Sequence, residues 1–431
     1  EMGRVSYVGR LNYSYANKYL LESIIRADAS AKFPSNSRWG YFPSVSLGWI
    51  INRESFMDKY EYIDNLKLRV SYGQSGNDAI GNFQYLSGYQ IGALPYILGP
   101  GSQSALESRG LANPYLTWEK IKTSNLGVDF SFFQSLLYGE ADIFYRLRSG
   151  ILANRIATVP SSFGSILPPE NLNSQSDRGF ELRVGTKGKN ENWVWDVSGN
   201  VSWSRAKWEH FEEPEYTDPL QIRLNKLSNE WVDREIGFLS DGLFTSQEQI
   251  DNLTYEYPNG NDMLRPGDLI IKDNNNDGII DTRDQVIIGK GVIPHWMLGL
   301  NTNLKYKDFD LSMLFQGALD YYSNVVFTQG KTFSSFVYDN RWTEENNDGN
   351  ALIPRLGGAP TNTYYTNRNY KRADYIRLKS FTIGYNLPSA FLDKISIKQA
   401  RFYLAATNIF TVGKLDKYDI DPESPSNLAG W

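Results

Sequence analysis

The chain has 431 residues with 44 Lys and Arg against 49 Asp and Glu, a net charge of -5 that offers no basic footprint for nucleic acid. Hydrophobic residues are 41% of the chain and aromatic residues 14%, at a mean hydropathy of -0.45. No run nears the roughly 18 consecutive apolar residues of a spanning helix. The two histidines, His210 and His295, and the absence of Cys leave little material for imidazole catalysis, a multi-histidine metal site or a disulfide framework.

A hydrophilic mean does not exclude a membrane, because a transmembrane barrel hides its apolar surface by alternation. Glu1-Met2-Gly3-Arg4 leads straight into a strand pattern with no secretion signal in view. The chain is therefore expected to be a fragment whose export signal lies upstream.

Period-two alternation over runs of about 8 to 13 residues is the dominant pattern. Tyr7, Gly9, Leu11, Tyr13 and Tyr15 alternate with Val8, Arg10, Asn12 and Ser14. Leu66, Leu68, Val70 and Tyr72 then alternate with Lys67, Arg69, Ser71 and Gly73. Leu126, Val128, Phe130 and Phe132 stand against Asn125, Gly127, Asp129 and Ser131, and Trp193, Trp195, Val197, Val201 and Trp203 against Asp196, Ser198, Asn200, Ser202 and Ser204. Trp296, Leu298, Leu300, Leu304 and Tyr306 face away from Asn301, Asn303 and Lys305. Phe309, Leu311, Met313 and Phe315 face away from Asp310, Ser312 and Gln316. About a dozen strands are expected by this procedure.

Very short turns at 16–18, 133–135 and 189–192 alternate with long connections at 74–116, 148–178, 206–292 and 318–374. Outer-membrane barrels show this asymmetry, with short periplasmic turns and long extracellular loops. Aromatics crowd the strand ends, at Tyr13, Tyr15, Tyr19, Tyr41, Phe42, Tyr375 and Tyr385, where interface girdles are expected. Arg38-Trp39-Gly40-Tyr41-Phe42-Pro43 reads as an interface anchor, with Gly40 leaving room for close backbone approach. The reading is an all-β, antiparallel transmembrane barrel in the outer membrane, in contact with lipid. The alternative is a secreted β-rich module that binds carbohydrate or protein.

Local sequences in these strands resemble TonB-dependent transporters of the SusC/RagA type, nearly end to end. The matching stretches are RADASAKFPSNSRWGYFPSVSLGWIINRESFM (26–57), LKLRVSYGQSGNDAIGNFQYL (66–86), NPYLTWEKIKTSNLGVDFSFF (113–133) and NLNSQSDRGFELRVG (171–185). PGDLIIKDNNNDGIIDTRDQVIIG (266–289), ADYIRLKSFTIGYNLP (373–388) and ARFYLAATNIFTVGKLDKYDIDPE (400–423) complete the order. The resemblance implies a barrel of 22 strands with a plugged lumen. Residues 1–431 would be its C-terminal part, lacking the plug domain, the first strands and the closing strand. It further implies import of oligosaccharides or peptides, a SusD-type surface lipoprotein as partner, and energy coupling by TonB through the missing N-terminal region.

One local motif is sharp. Residues 273–284, DNNNDGIIDTRD, place oxygen-bearing side chains at positions 1, 3, 5, 9 and 12 with Gly278 at position 6, the spacing of a calcium loop. Asp273, Asn275, Asp277, Asp281 and Asp284 would be side-chain ligands of a structural Ca2+ and Ile279 would lend its carbonyl. Asp284 stands where helix-loop-helix sites carry a bidentate Glu, as in dockerin-type loops; the bland reading is an Asx-rich turn without metal.

Nothing points to an enzyme. Glu212 with Glu213 and Glu344 with Glu345 are adjacent carboxylates on polar runs, which read as solvated surface and not as a glycosidase pair. No nucleophile elbow, P-loop or dinucleotide fingerprint appears in a strand-helix context. Loop aromatics, namely Tyr85, Tyr89, Tyr96, Phe163, Tyr255, Tyr257, Tyr321, Tyr322, Phe333, Phe336, Tyr364 and Tyr365, could stack on sugars, but the expectation for most is that they pack the loops.

Overall fold

In the computed structural model, alternation becomes twelve long strands. They are β1 (Arg4–Tyr15), β2 (Tyr19–Ser30), β3 (Trp39–Ile50), β4 (Ile63–Asn77), β5 (Glu119–Phe132) and β6 (Leu137–Asn154), then β7 (Pro169–Lys189), β8 (Trp193–His210), β9 (Trp296–Tyr306), β10 (Phe309–Leu319), β11 (Tyr375–Asn386) and β12 (Arg401–Gly413). They form one antiparallel twelve-stranded sheet whose order follows the chain. The structure describes residues 3–92, 96–98, 101–108, 110–156, 161–163, 165, 167–325, 335–395, 397–418 and 420–423. Among these, no helix is long and apolar enough to cross a membrane.

The connections alternate between one set (16–18, 51–62, 133–136, 190–192, 307–308, 387–400) and another (31–38, 78–118, 155–168, 211–295, 320–374), and the three longest, 78–118, 211–295 and 320–374, all fall in the second. At the first turn Ala16 and Asn17 both take positive φ, 49° and 54°, and Lys18 N–H bonds to the Tyr15 carbonyl. Two left-handed central residues match the right-handed twist of the flanking strands and hold the hairpin register.

The long connections are shorter than the sequence implies. Within 148–178, β6 runs on to Asn154 and β7 starts at Pro169, so Arg148 pairs with Gln175 and Asn154 with Pro169. A register shift between Ser149 and Ile151 brackets Gly150, whose φ is +71°. The ladder outlasts the alternation because Asn171, Asn173, Ser174, Gln175, Ser176 and Asp177 put polar groups on both faces. Backbone pairing continues where no lipid demands an apolar face. In the same way β4 reaches Asn77 and β8 reaches His210.

The chain divides into two compact units. The first comprises Glu1–Thr186, Ser204–Glu215 and Leu227–Trp231, and the second Lys187–Trp203, Tyr216–Lys226 and Val232–Trp431. In the first, Phe33, Phe42, Leu116 and Trp118 form a small buried core, each burial contributing about 1.5 to 3 kcal/mol. Phe42 is the exception in its hexapeptide. Trp39 and Tyr41 lie outward, with Trp39 stacked on Tyr7 at 6.0 Å, but Phe42 is buried against Trp118. Its ring fills the space that side chains at Gly40 and Gly76 would need, so the room left by Gly40 goes to a ring.

The second unit carries a folded loop module assembled from residues 232–295 and 320–374. Its core holds Phe238, Leu243, Phe244, Ile250, Tyr257, Leu264, Leu269, Ile271, Ile280 and Trp342. Two-stranded ribbons Arg234–Gly237 with Val286–Lys290, Ser240–Leu243 with Leu269–Ile271, and Tyr322–Asn324 with Tyr370–Arg372 frame it. Long connections that build their own core in this way are usually functional.

Candidate functional site

Cross-strand register decides which side chains share a face. On one face Leu68 opposes Val128, Val70 opposes Leu126 and Ile143 opposes Leu126 from the other side. On the opposite face Arg69 reaches across β5 to β6. Its Nε donates to Asp129 Oδ1 and its Nη2 to Asp142 Oδ2, both at 2.9 Å. Gly127 lies beneath this bridge, and a Cβ there would come within 2.4 Å of Asp142 Oδ1 and 2.9 Å of the Arg69 guanidinium. In the second unit Asp310 pairs with Arg401 at 2.5 Å and Ser312 Oγ donates to Asn303 Oδ1 at 2.9 Å. The strands thus present one apolar face and one face cross-linked by charge and hydrogen bonds.

The loop module is organised around Asp268, which is fully buried. Arg355 donates to it twice, Nε to Oδ1 at 2.7 Å and Nη2 to Oδ2 at 3.0 Å. The Arg265 and Ala359 amides and the Asn362 side chain complete five hydrogen bonds. A buried carboxylate is tolerated only when so fully partnered. Sequence reasoning gave Asp268 no role, since its side-chain partners Arg355 and Asn362 and the Ala359 amide lie 87 to 94 residues downstream.

The 273–284 segment closes into a compact turn, with Asn276 and Gly278 at positive φ. Asp273 accepts from the Asn276 and Gly278 amides at 2.8 and 2.9 Å. Asn275 accepts from the Asp277 amide, and Asp277 from the Ile279 amide. Asp284 is fully buried and takes the amides of Asn274, Asn275 and Asp281. Asp281 and Asp277 each pair with Arg283 at 2.8 Å, and the Arg283 hydrogen bond holds the Asp281 carboxyl below its usual range. Among the described residues no three carboxylate or imidazole groups gather as a metal cluster would. Within the turn, Ile280 is buried in the module core while Ile279 is half exposed.

After β12 the chain turns back over β11. Arg377, 4% exposed within that strand, bonds Asp421 and Glu423 at 2.5 Å each, and Lys379 and the Tyr375 hydroxyl also bond Glu423. Burial alone would raise both carboxyls; the bonds and charge of Arg377 and Lys379 outweigh it and hold both below their usual values. Tyr375 is therefore buried here and is no girdle residue. Gln316, Ala318, Tyr321, Tyr322, Tyr375 and Glu423 line a cavity of about 630 Å³ beside this segment. The sequence signal for this arrangement was a cation, Arg377, inside an apolar strand run.

Tyr13, Tyr15, Tyr19 and Tyr41 are exposed, and Tyr385 packs on Phe309 at 4.5 Å. The Tyr257 hydroxyl donates to the Leu269 carbonyl and accepts from the Ile271 amide. Tyr255 and Tyr364 pack against the same core, and Phe336 against the cluster around Tyr321. Tyr322 stacks on Tyr370 at 5.4 Å, and Tyr365 packs tilted against Tyr370 at 5.2 Å. Tyr85 packs on Phe83, while Tyr89 and Phe163 are exposed. Phe333 lies outside the described residues, as does the side chain of Tyr96. Glu213 caps the amides of Leu227 and Ser228, and Glu212 accepts from the Ile156 amide.

The family described as TonB dependent receptor-like, beta-barrel, matches residues 4–409. TonB-dependent receptor P26 of Formosa agariphila is 30% identical over 436 residues, covering 97% of this chain and 42% of the relative. TonB-dependent receptor SusC of Bacteroides thetaiotaomicron is 28% identical over 440 residues, covering 98% of this chain and 42% of the relative. The chain thus spans less than half the length of these curated relatives. Among solved structures, the RagAB peptide importer in the 'open-open' state superposes with a TM-score of 0.76 at 22% identity, covering 99% of this chain and 45% of that one.

Proposed function

Because the chain belongs to the TonB-dependent receptor family of outer-membrane β-barrels, we propose that it supplies wall strands and extracellular loops to an energy-coupled importer of oligosaccharides or peptides. The observation that carries this reading is the pair of strand faces. One face is apolar, as lipid requires, and the other is cross-linked by Arg69, Asp129, Asp142, Asp310 and Arg401, as a polar lumen requires. The loop module stands on the long-connection side, where a SusD-type lipoprotein would deliver substrate. TonB would act through parts of the protein outside this chain. A relative named SusC and the similar fold of the RagAB peptide importer support the general activity.

The test is affinity purification of the tagged full-length protein from detergent-extracted outer membranes, with mass spectrometry of what accompanies it. A stoichiometric surface lipoprotein is the expected result, and the glycan or peptide it binds names the substrate class. Recovery from the soluble fraction without a lipoprotein refutes the importer and favours a secreted binding module.

Calcium at 273–284 is a separate proposal, supported by ligand spacing and by the closed turn at Gly278. Against it stand Arg283, which already pairs with Asp277 and Asp281, and the lack of a three-carboxylate cluster among the described residues. A melting temperature raised by Ca2+ over EGTA, and insensitive to Ca2+ in Asp273→Asn, supports binding. Superimposable melts discard it.

A further inference from the structure

His295 lies one residue before β9 and is 5% exposed. Its Nε2 stands 2.6 Å from Asp233 Oδ2 and its Nδ1 stands 2.9 Å from Asp320 Oδ2. An ionised carboxylate only accepts, so each ring nitrogen must bring its own proton, and only the imidazolium carries both. Lys290 Nζ approaches the same Asp320 oxygen at 2.5 Å. Three separate stretches of chain meet at this ring. Asp233 stands where the chain enters the loop module, Lys290 and His295 where it returns towards β9, and Asp320 where β10 gives way to the next connection.

The surrounding charges come from every element packed there. Asp374, at the foot of β11, accepts the Asp320 amide at 2.7 Å and pairs with Arg372 at 2.6 Å. Glu235, two residues after Asp233, is bonded by the Tyr365 hydroxyl, and burial raises its carboxyl with Asp233 adding to the effect. Arg234 donates to the Lys226 carbonyl. Burial also tends to raise the Asp320 carboxyl, but Lys290 and His295 outweigh that and leave it lowered.

We propose that Asp233, His295 and Asp320 form a proton-dependent clasp that fastens the entry and exit of the loop module to the end of β10 and opens when the imidazolium loses its proton. Deprotonation leaves one ring nitrogen lone pair facing a carboxylate oxygen at under 3 Å with no proton between them. The sign follows from the closed state holding the proton. Closure holds while both ring nitrogens keep their protons and is lost as rising pH removes one of them. The clasp would let the loop module respond to the medium without any change in the strands.

Hydrogen exchange read by mass spectrometry on the full-length protein in detergent tests this. Rates are corrected for intrinsic pH dependence at about pH 5.5 and 8.5. In the wild type, peptides covering 232–237, 286–295 and 320–324 should lose protection about tenfold across that interval, while the interiors of β9 and β10 stay constant. His295→Arg, permanently charged with several donors, should stay protected at both values. His295→Gln, never charged, should be open at both. A wild type whose corrected protection in these peptides is independent of pH overturns the clasp, whatever the variants do. So does a pH dependence that survives in His295→Gln.

Discussion

Replacing Asp268 by Ala tests whether the loop module is held by one buried carboxylate. The side chain is fully buried and accepts five hydrogen bonds, two of them from Arg355. Removing one partner of a buried pair costs about 3 to 5 kcal/mol, since the other charge is left uncompensated. Arg355 is a quarter exposed and can rehydrate, which argues for the lower figure. The buried Ala359 amide loses its acceptor too, which keeps the loss from falling below that figure. A net loss of about 3 kcal/mol raises the population of locally opened module roughly a hundredfold. Hydrogen exchange at 269–271 and 357–362 in the full-length protein should therefore accelerate about a hundredfold, with β9 and β10 unchanged. Acceleration below about threefold would refute the view that Asp268 organises the module.

Gly127→Val should clash with Asp142 and Arg69 and cost about 1 to 3 kcal/mol, seen as loss of the heat-modifiable folded band on gels. Gly199→Ala, where the nearest atom is 3.8 Å away, should leave that band unchanged. Asp421 and Glu423 have lowered carboxyl values, so the stability they lend is present above the unfolded carboxylate range and lost as pH falls through the folded values. Proteolysis of the 416–423 segment should accordingly increase on acidification, and Arg377→Met should be cleaved readily at neutral pH. Gly278→Ala meets no atom nearer than 4.0 Å but must hold φ at +82°, so it should destabilise the 273–284 turn by about 1 to 2 kcal/mol, measured as faster local exchange.

Most of the sheet was legible because each strand of an outer-membrane sheet carries its own two-faced pattern. The runs around Tyr7, Leu66, Leu126, Trp193, Trp296 and Phe309 each became a strand. Legibility failed where lipid no longer imposes the pattern. From Arg148 to Asn154 the ladder continues against a β7 segment that is polar on both faces, so the sequence implies a loop where strands pair. Phe42 and Tyr375 look like girdle residues by type and position, yet each is buried against partners remote in sequence: Trp118 for one, Glu423 for the other. The acidic spacing of 273–284 marked a turn correctly but could not show that amides and Arg283 would engage its carboxylates.

The two regions differ in how their contacts relate to chain order. Within each unit, long strands pair with their neighbours along the chain, so a substitution on a strand face is felt by residues that local pattern already identifies. The loop module reverses this. Phe238 bridges in parallel to Thr366, the Leu243 amide bonds the Gly349 carbonyl, and Asp268 gathers groups from 355, 359 and 362. Two long connections must be in place together before any of these contacts forms. Changes in one connection therefore couple to the other, and paired substitutions across the module should depart from additivity while strand-face pairs far apart should not. A loop assembly held by so few buried polar groups can be retuned by single residues such as His295 or Asp268 without disturbing the apolar face that lipid selects.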